Sequence, residues 1–197
     1  MANIGQKWPS GQEILIPFLR DYAKKFHASD LARELKLPRR TIARKLEAFH
    51  DLHLLEYERK GKNKYFYFKL KDYSSFPLLV LLESSSELLF LQRHHTLAPL
   101  LKELAELCPL IIFGSYAKKL EKEDSDLDIV LFARKSKRIE GIIQKFPLPV
   151  QVQYATLSFF QKLLLTAAPL AKEIVKYHVL LGEKEKTIKL FRSYYLR

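Results

Sequence analysis

A chain of 197 residues allows one large domain or two small ones, and 48% hydrophobic residues, with 13 Phe and 10 Tyr, supply a core and argue against global disorder. A formal net charge of +12 favours a polyanionic partner, nucleic acid or nucleotide phosphates, although a basic solubilising surface has the same sum. The single cysteine, Cys108, excludes an intramolecular disulfide and a cysteine-held zinc, and between Leu107 and Pro109 it reads as a buried small hydrophobe.

Glu13 to Phe26 opens the chain's pattern, with apolar residues at Ile14, Leu15, Phe18, Leu19 and Tyr22 in a helical stripe. Pro17 is discordant there, because proline suits only a first turn. Ser29 is the expected N-cap of a short helix over Asp30 to Leu35, and Lys36-Leu37-Pro38 the turn after it. Arg39 to Leu52 follows as a helix with Ile42, Leu46 and Phe49 on one face. Leu54 to Arg59 and Tyr65 to Leu70 read as strands joined by the basic turn Lys60-Gly61-Lys62-Asn63-Lys64. Of the net charge, +7 falls in residues 1–72 and +5 in the longer remainder. Lys71 to Pro77, with two serines and a closing proline, reads as the join. The expected organisation is a first domain over 1–72, a linker helix over 73–95 and a second domain over 96–197.

The order helix, short helix, turn, helix, hairpin, carried by Ser29 to Glu47 and the strands after it, resembles a winged helix-turn-helix. The resemblance implies that the helix beginning at Arg39 enters a DNA groove and that the hairpin lies on flanking backbone. Arg39, Arg40, Thr41, Arg44 and Lys45 would supply donors to bases and phosphates, and Lys60, Lys62 and Lys64 would contact phosphates from the wing. Winged helices also dock proteins, so both partner classes stand at this point. A homodimer reading paired half-sites is a further expectation.

The residues that carry chemistry lie further on. Leu110 to Phe113 is a short apolar run of buried-strand type, Gly114-Ser115 breaks it, and Tyr116 to Leu120 begins a helix. A glycine lets a phosphate approach backbone, and a serine hydroxyl adds a donor. Leu127 to Phe132 is the next strand. Asp126 and Asp128 are two residues apart, so in extended chain both carboxylates face one side, while Leu127, Ile129 and Leu131 face the core. Paired carboxylates repel unless a cation sits between them, and a divalent metal bridging to phosphate is the natural occupant.

Gly114-Ser115, ten further residues and then Asp126-Leu127-Asp128 resemble the signature of the DNA polymerase β nucleotidyltransferase superfamily. The resemblance implies an α+β fold in which a mixed sheet is flanked by helices. It implies that Gly114 and Ser115 hold a nucleoside triphosphate and that Asp126 and Asp128 are catalytic ligands of Mg2+, with Mn2+ as a substitute. Ser125 fits the pattern; Lys119 departs from it, since many members have glycine near that point. Pro149 to Tyr154 as a third strand, Thr156 to Leu165 and Ala171 to Lys176 as helices, and Tyr177 to Gly182 as a strand and turn continue the likeness to small archaeal-type nucleotidyltransferases joined to winged helices. Such proteins often pair with a helical toxin-like protein, a third partner class.

Active members usually place a third acidic residue on the strand Pro149 to Tyr154. Gln151 and Gln153 share one side of it here, so an amide replaces the carboxylate whichever aligns. An amide is uncharged and no base at neutral pH. The domain is therefore either a nucleotide binder without turnover or a transferase completed by another carboxylate, such as Asp124 or Glu140. His94 and His95 read as surface or capping residues, His50 and His53 as surface residues, and His178 as structural. Arg134, Lys135, Lys137 and Arg138 read as a solvated loop or as a steering patch for phosphates. Met1 to Pro9 lacks a signal-peptide run, and Phe76 to Leu82 falls far short of the about 20 apolar residues that span a bilayer. A soluble cytoplasmic protein without a membrane partner is expected.

Overall fold

The computed structural model describes residues 11–197, so the Met1 to Pro9 reading lies outside the described residues. The chain divides into two compact units, Met1–Leu78 and Leu79–Arg197. The division falls within one long helix.

In the first unit a 3-10 helix, Gln12–Arg20, buries Ile14, Leu15, Phe18 and Leu19. The expected α-helix to Phe26 does not form. Pro17 lacks a backbone donor and its ring obstructs an α-helical turn. The Asp21 side chain then accepts a bond from the Ala23 amide at 2.9 Å, a local turn that ends the helix. Phe26–His27 instead form β1, and Phe26 packs on Phe18 with ring centroids 4.6 Å apart. The next helix, α1, covers Ala28–Leu35. Its cap is His27, not Ser29: the Ser29 amide donates to His27 Nδ1, and the His27 amide donates to Asp30 Oδ2, each at 3.3 Å. The strand ends at His27, which makes that residue the half-extended one that a cap must be. Lys36 turns the chain at φ 53, and α2 runs Arg39–Asp51 with Ile42, Leu46 and Phe49 buried.

β2, Leu55–Lys60, and β3, Asn63–Phe68, form an antiparallel hairpin in which Lys60 pairs with Asn63. The turn is therefore only Gly61 and Lys62, and Lys60 and Lys64 belong to the strands. β1 adds to the other edge of β3.

The long helix α3 spans Ser75–Arg93. In the second unit follow α4, Ala98–Ala105; β4, Leu110–Phe113; α5, Gly114–Lys118; and β5, Leu127–Leu131. Then come α6, Lys137–Gln144; β6, Val150–Tyr154; α7, Leu157–Leu165; α8, Pro169–Lys176; β7, Val179–Leu181; and α9, Lys184–Tyr195. The sheet order is β6-β5-β4-β7, with β5 and β6 parallel and the other pairs antiparallel. It is a mixed sheet in an α+β fold. Leu127, Ile129 and Leu131 enter the core beside Leu110, Ile112, Leu101 and Leu104. Burying such side chains contributes about 1.5–3 kcal/mol each, so β5 is firmly held on that face. Val150, Val152 and Tyr154 pack on the same core, which turns Gln151 and Gln153 outward.

Two histidines show how the second unit closes. His178 is buried against Glu83 at 3.0 Å, and its Nδ1 lies 3.0 Å from the Val175 carbonyl oxygen, a structural tie from α3 to the end of α8. His94 stands at the N-cap position of the short 3-10 helix His95–Leu97, without a side-chain capping bond, and it is not a surface residue. Its side chain is 12% exposed, stacked between Phe90 and Tyr116, and 3.4 Å from Glu121, because it lies one helical turn beyond Phe90 on the buried face of the chain. Burial lowers its pKa, with Glu121 pulling the other way. His95 is exposed. No helix among the described residues is long and apolar enough to cross a membrane.

Candidate active site

β4 ends at Phe113, which pairs with Asp128 across the antiparallel ladder. The next residue, Gly114, has φ 69, and a Cβ there would overlap the carboxylate of Asp128. Glycine is required twice over, by the left-handed backbone and by the approach of that carboxylate. The helix thus begins at Gly114 rather than Tyr116, and Ser115 stands in its first turn. It stops at Lys119, in the left-handed region at φ 61, and the Leu120 amide returns to the Ser115 carbonyl at 3.0 Å. The family resemblance places glycine near Lys119, and a positive φ is a physical reason for that choice.

Asp126 is presented by a small turn. The Lys122 amide donates to Ser125 Oγ at 2.8 Å and the Ser125 amide to the Lys122 carbonyl at 3.1 Å. Asp126 stands just before β5 and Asp128 within it. Burial first, then the like charge of Asp126 and that of Glu173, hold the Asp128 carboxyl above its usual range, while the Lys118 ammonium works against them.

Parallel pairing sets Gln151 opposite Asp128 and Gln153 opposite Val130. Gln151 is therefore the glutamine at the site. Its Nε2 donates to Asp126 Oδ2 at 2.5 Å. The amide thus presents its donor to the pair, where a third carboxylate would present an acceptor.

Glu140 does not complete the site. It pairs with Lys135 at 2.8 Å and lies close to Tyr154, which is aligned with Leu131. That is the opposite end of β5 from Asp128, about 10 Å along the strand. Arg134 and Lys135 follow the same far end, and Lys137 and Arg138 open α6, so the basic run does not line the carboxylates. Asp124 is exposed in the loop before Asp126. The acidic residue that does reach the neighbourhood is Glu173 on α8. It meets Lys118 at 2.5 Å, and its charge is felt at Asp128. Forty-four residues separate Glu173 from Asp128, and no local pattern links them.

The donor set of Asp126 and Asp128 is all oxygen and carries excess negative charge, which suits a hard divalent cation such as Mg2+. Among the described residues no group of three His, Cys, Asp or Glu side chains comes together to hold a metal. A cation here would therefore complete its shell with phosphate oxygens and water.

Residues 96–193 match the family model described as nucleotidyltransferase domain. That match places this region in the nucleotidyltransferase superfamily. No curated protein and no solved structure matches the chain. The nucleotidyltransferase domain contains every element of the carboxylate site, from Gly114 to Glu173.

The basic residues of the first unit separate into two groups. Arg39, Arg40 and Arg44 are exposed on α2 and hold no ion-pair partner among the described residues; Thr41 is half-buried between them. Lys62 is exposed at the hairpin turn. Lys45 instead lies 3.7 Å from Glu13, and Lys64 meets both carboxylate oxygens of Glu47 and covers the Tyr57 ring at 4.3 Å. Lys60 pairs with Glu58 at 3.3 Å. Contiguity in the sequence does not distinguish these groups; partners do.

Proposed function

We propose that this chain is a cytoplasmic, DNA-binding nucleotidyltransferase of the polymerase β type. Its C-terminal domain transfers a nucleotidyl group from a nucleoside triphosphate to an acceptor hydroxyl. The observation that carries the reading is the Asp126–Asp128 pair at the start of β5, set against Gly114, where burial first and the neighbouring carboxylates second raise the pKa of Asp128. Asp126 and Asp128 would hold Mg2+, or Mn2+ in its place; the ion supplies neutralisation of charge at the transferring phosphorus. Gly114 admits the triphosphate close to backbone, and Ser115 offers its hydroxyl. Phe113, Leu127 and Ile129 keep the pair in place by packing, so the carboxylates are ordered before a nucleotide arrives. The N-terminal unit is proposed as a winged helix. Its support is the order of α1, α2 and the β2–β3 hairpin, and three arginines on α2 that have no ion-pair partner among the described residues and suit phosphates and base edges.

A second reading is favoured by Gln151. An amide that donates to Asp126 neither ligates as a carboxylate nor accepts a proton from an attacking hydroxyl. On that reading the domain binds Mg2+ and nucleotide without turnover and the chain is a nucleotide-responsive DNA-binding regulator.

The experiment is incubation of the protein with each labelled nucleoside triphosphate and Mg2+, with total RNA, total protein and the chain itself as acceptors, beside Asp126→Asn/Asp128→Asn. Metal-dependent label transfer, abolished in the double variant, is the expected result. Intact nucleotide binding with no transfer from any triphosphate supports the regulator instead.

A further inference from the structure

The basic run Arg134, Lys135, Lys137 and Arg138 takes no part in the carboxylate site, and the fold divides it. Lys135 pairs with Glu140 at 2.8 Å, while Lys137 and Arg138 line a polar cleft with Glu103 and Glu106. Arg134 instead lines a separate cleft of about 330 Å3 where β5 and β6 end. Phe132, Ala133, Ala155 and Leu157 give this cleft apolar walls. Backbone bonds fix those walls: the Phe132 amide donates to the Pro109 carbonyl and the Ala155 amide to the Leu131 carbonyl, each at 3.0 Å. The Phe132 ring also meets Phe160 edge-on, with centroids 5.8 Å apart. The cleft is thus formed before any ligand arrives. On its rim Glu183 and Lys186 compensate each other at 2.7 Å, whereas Arg134 is exposed and has no ion-pair partner among the described residues.

We propose that this cleft is a second ligand site, for a small aromatic carboxylic acid whose ring lies between Phe132 and Leu157 and whose carboxylate is bound by Arg134. The volume stands at the lower end of the about 300–1,000 Å3 of ligand pockets, which suits a single ring and not a whole nucleotide. Apolar walls reward removal of a ring from water. The planar guanidinium offers two parallel donors, a geometry that matches a carboxylate. Because Glu183 and Lys186 cancel, the rim carries one net positive charge and selects one negative charge. The cleft follows Leu131, at the opposite end of β5 from Asp128 and about 10 Å along the strand, so its ligand and a nucleotide bind without competing.

The test titrates 4-fluorobenzoate and its neutral isostere 4-fluorobenzamide with the full chain, followed by fluorine NMR. The variants are Arg134→Met, Lys135→Met, Leu157→Ala and Asp126→Asn/Asp128→Asn, each checked for folding by thermal melt. Wild type binds the benzoate about fivefold more tightly than the benzamide at low salt, as an exposed charge-assisted contact implies, and added salt shrinks the preference. Arg134→Met abolishes the preference. Lys135→Met keeps it, since that charge is already met by Glu140. Leu157→Ala weakens both probes by a similar factor, because it removes apolar wall and no charge. Asp126→Asn/Asp128→Asn leaves both probes unchanged, which separates this cleft from the nucleotide site. Equal binding of the two probes by wild type, no binding of either, or a preference that survives Arg134→Met overturns the inference. So does a preference lost in Asp126→Asn/Asp128→Asn, which would move the probe to the carboxylate site.

Discussion

The two units use charge in different ways. In the first, many cations crowd a short stretch of sequence, and folding sorts them: Arg39, Arg40 and Arg44 meet no carboxylate among the described residues, while Lys45, Lys60 and Lys64 engage carboxylates. In the second, few charges matter, and folding collects them from distant segments. Asp126 meets Gln151 from β6, and Asp128 feels the charges of Glu173 and Lys118, which pair with each other. Charge density marks a surface, but the partners decide which charges remain to meet a ligand.

The sharpest break of this comparison is Asp126→Asn/Asp128→Asn. It is expected to lower nucleotidyl transfer by about a thousandfold or more, as removal of catalytic charge stabilisation does elsewhere, while leaving DNA affinity unchanged. Asp128→Asn alone also relieves burial and like-charge repulsion. The sign follows from its raised pKa: the folded state binds the proton more readily, so the ionised carboxylate costs stability once pH rises through the window above 3.8. The Asn variant should therefore melt higher than wild type at neutral pH and equally at acidic pH. Equal melting at both would remove the repulsion from the account.

The same comparison predicts a graded result on the first unit. Arg39→Ala, Arg40→Ala or Arg44→Ala should each weaken duplex DNA binding by about tenfold and flatten the salt dependence by about one charge. Lys45→Ala and Lys64→Ala should cost about threefold or less, since their charge is already compensated by Glu13 and Glu47. Titrations at several salt concentrations measure both quantities. Lysine variants as damaging as the arginine ones would show that partners do not sort the cations.

Two smaller effects complete the series. The lowered pKa of His94 means that the unfolded chain takes up its proton first. Stability should therefore fall as pH drops through the window below about 6.5, and His94→Gln should flatten that slope. Lys119→Gly, at φ 61, should gain up to about 1 kcal/mol, read from denaturant midpoints.

Much of the second unit was legible because its signals are local. The apolar run Leu110 to Phe113, the glycine after it and the spacing of Asp126 and Asp128 each follow from backbone geometry within a few residues. The alternation in Val150 to Tyr154 likewise put both glutamines on one side of the strand, which the burial of Val150, Val152 and Tyr154 leaves facing outward. Choosing Gln151 over Gln153 required the register with β5, which is a tertiary fact. Glu173 was hidden because its link to Lys118 crosses from α8 to α5. The helix expected through Phe26 yielded to Pro17 and to the pairing of β1 with β3, and the cap passed to His27 once that strand ended there. α6 was missed because its basic first residues looked like a loop, although Ile139 and Ile142 give it a buried face.

The central claim is that Asp126 and Asp128 form a metal-dependent nucleotide site. Its most direct measurement is a titration of Mn2+ into the full chain with and without a nucleoside triphosphate, followed by electron paramagnetic resonance, beside Asp128→Asn. The account predicts that the triphosphate and Mn2+ strengthen each other's binding and that Asp128→Asn removes the coupling while the protein stays folded. Coupling of the same size in Asp128→Asn, or no bound Mn2+ in wild type with any triphosphate, would contradict it.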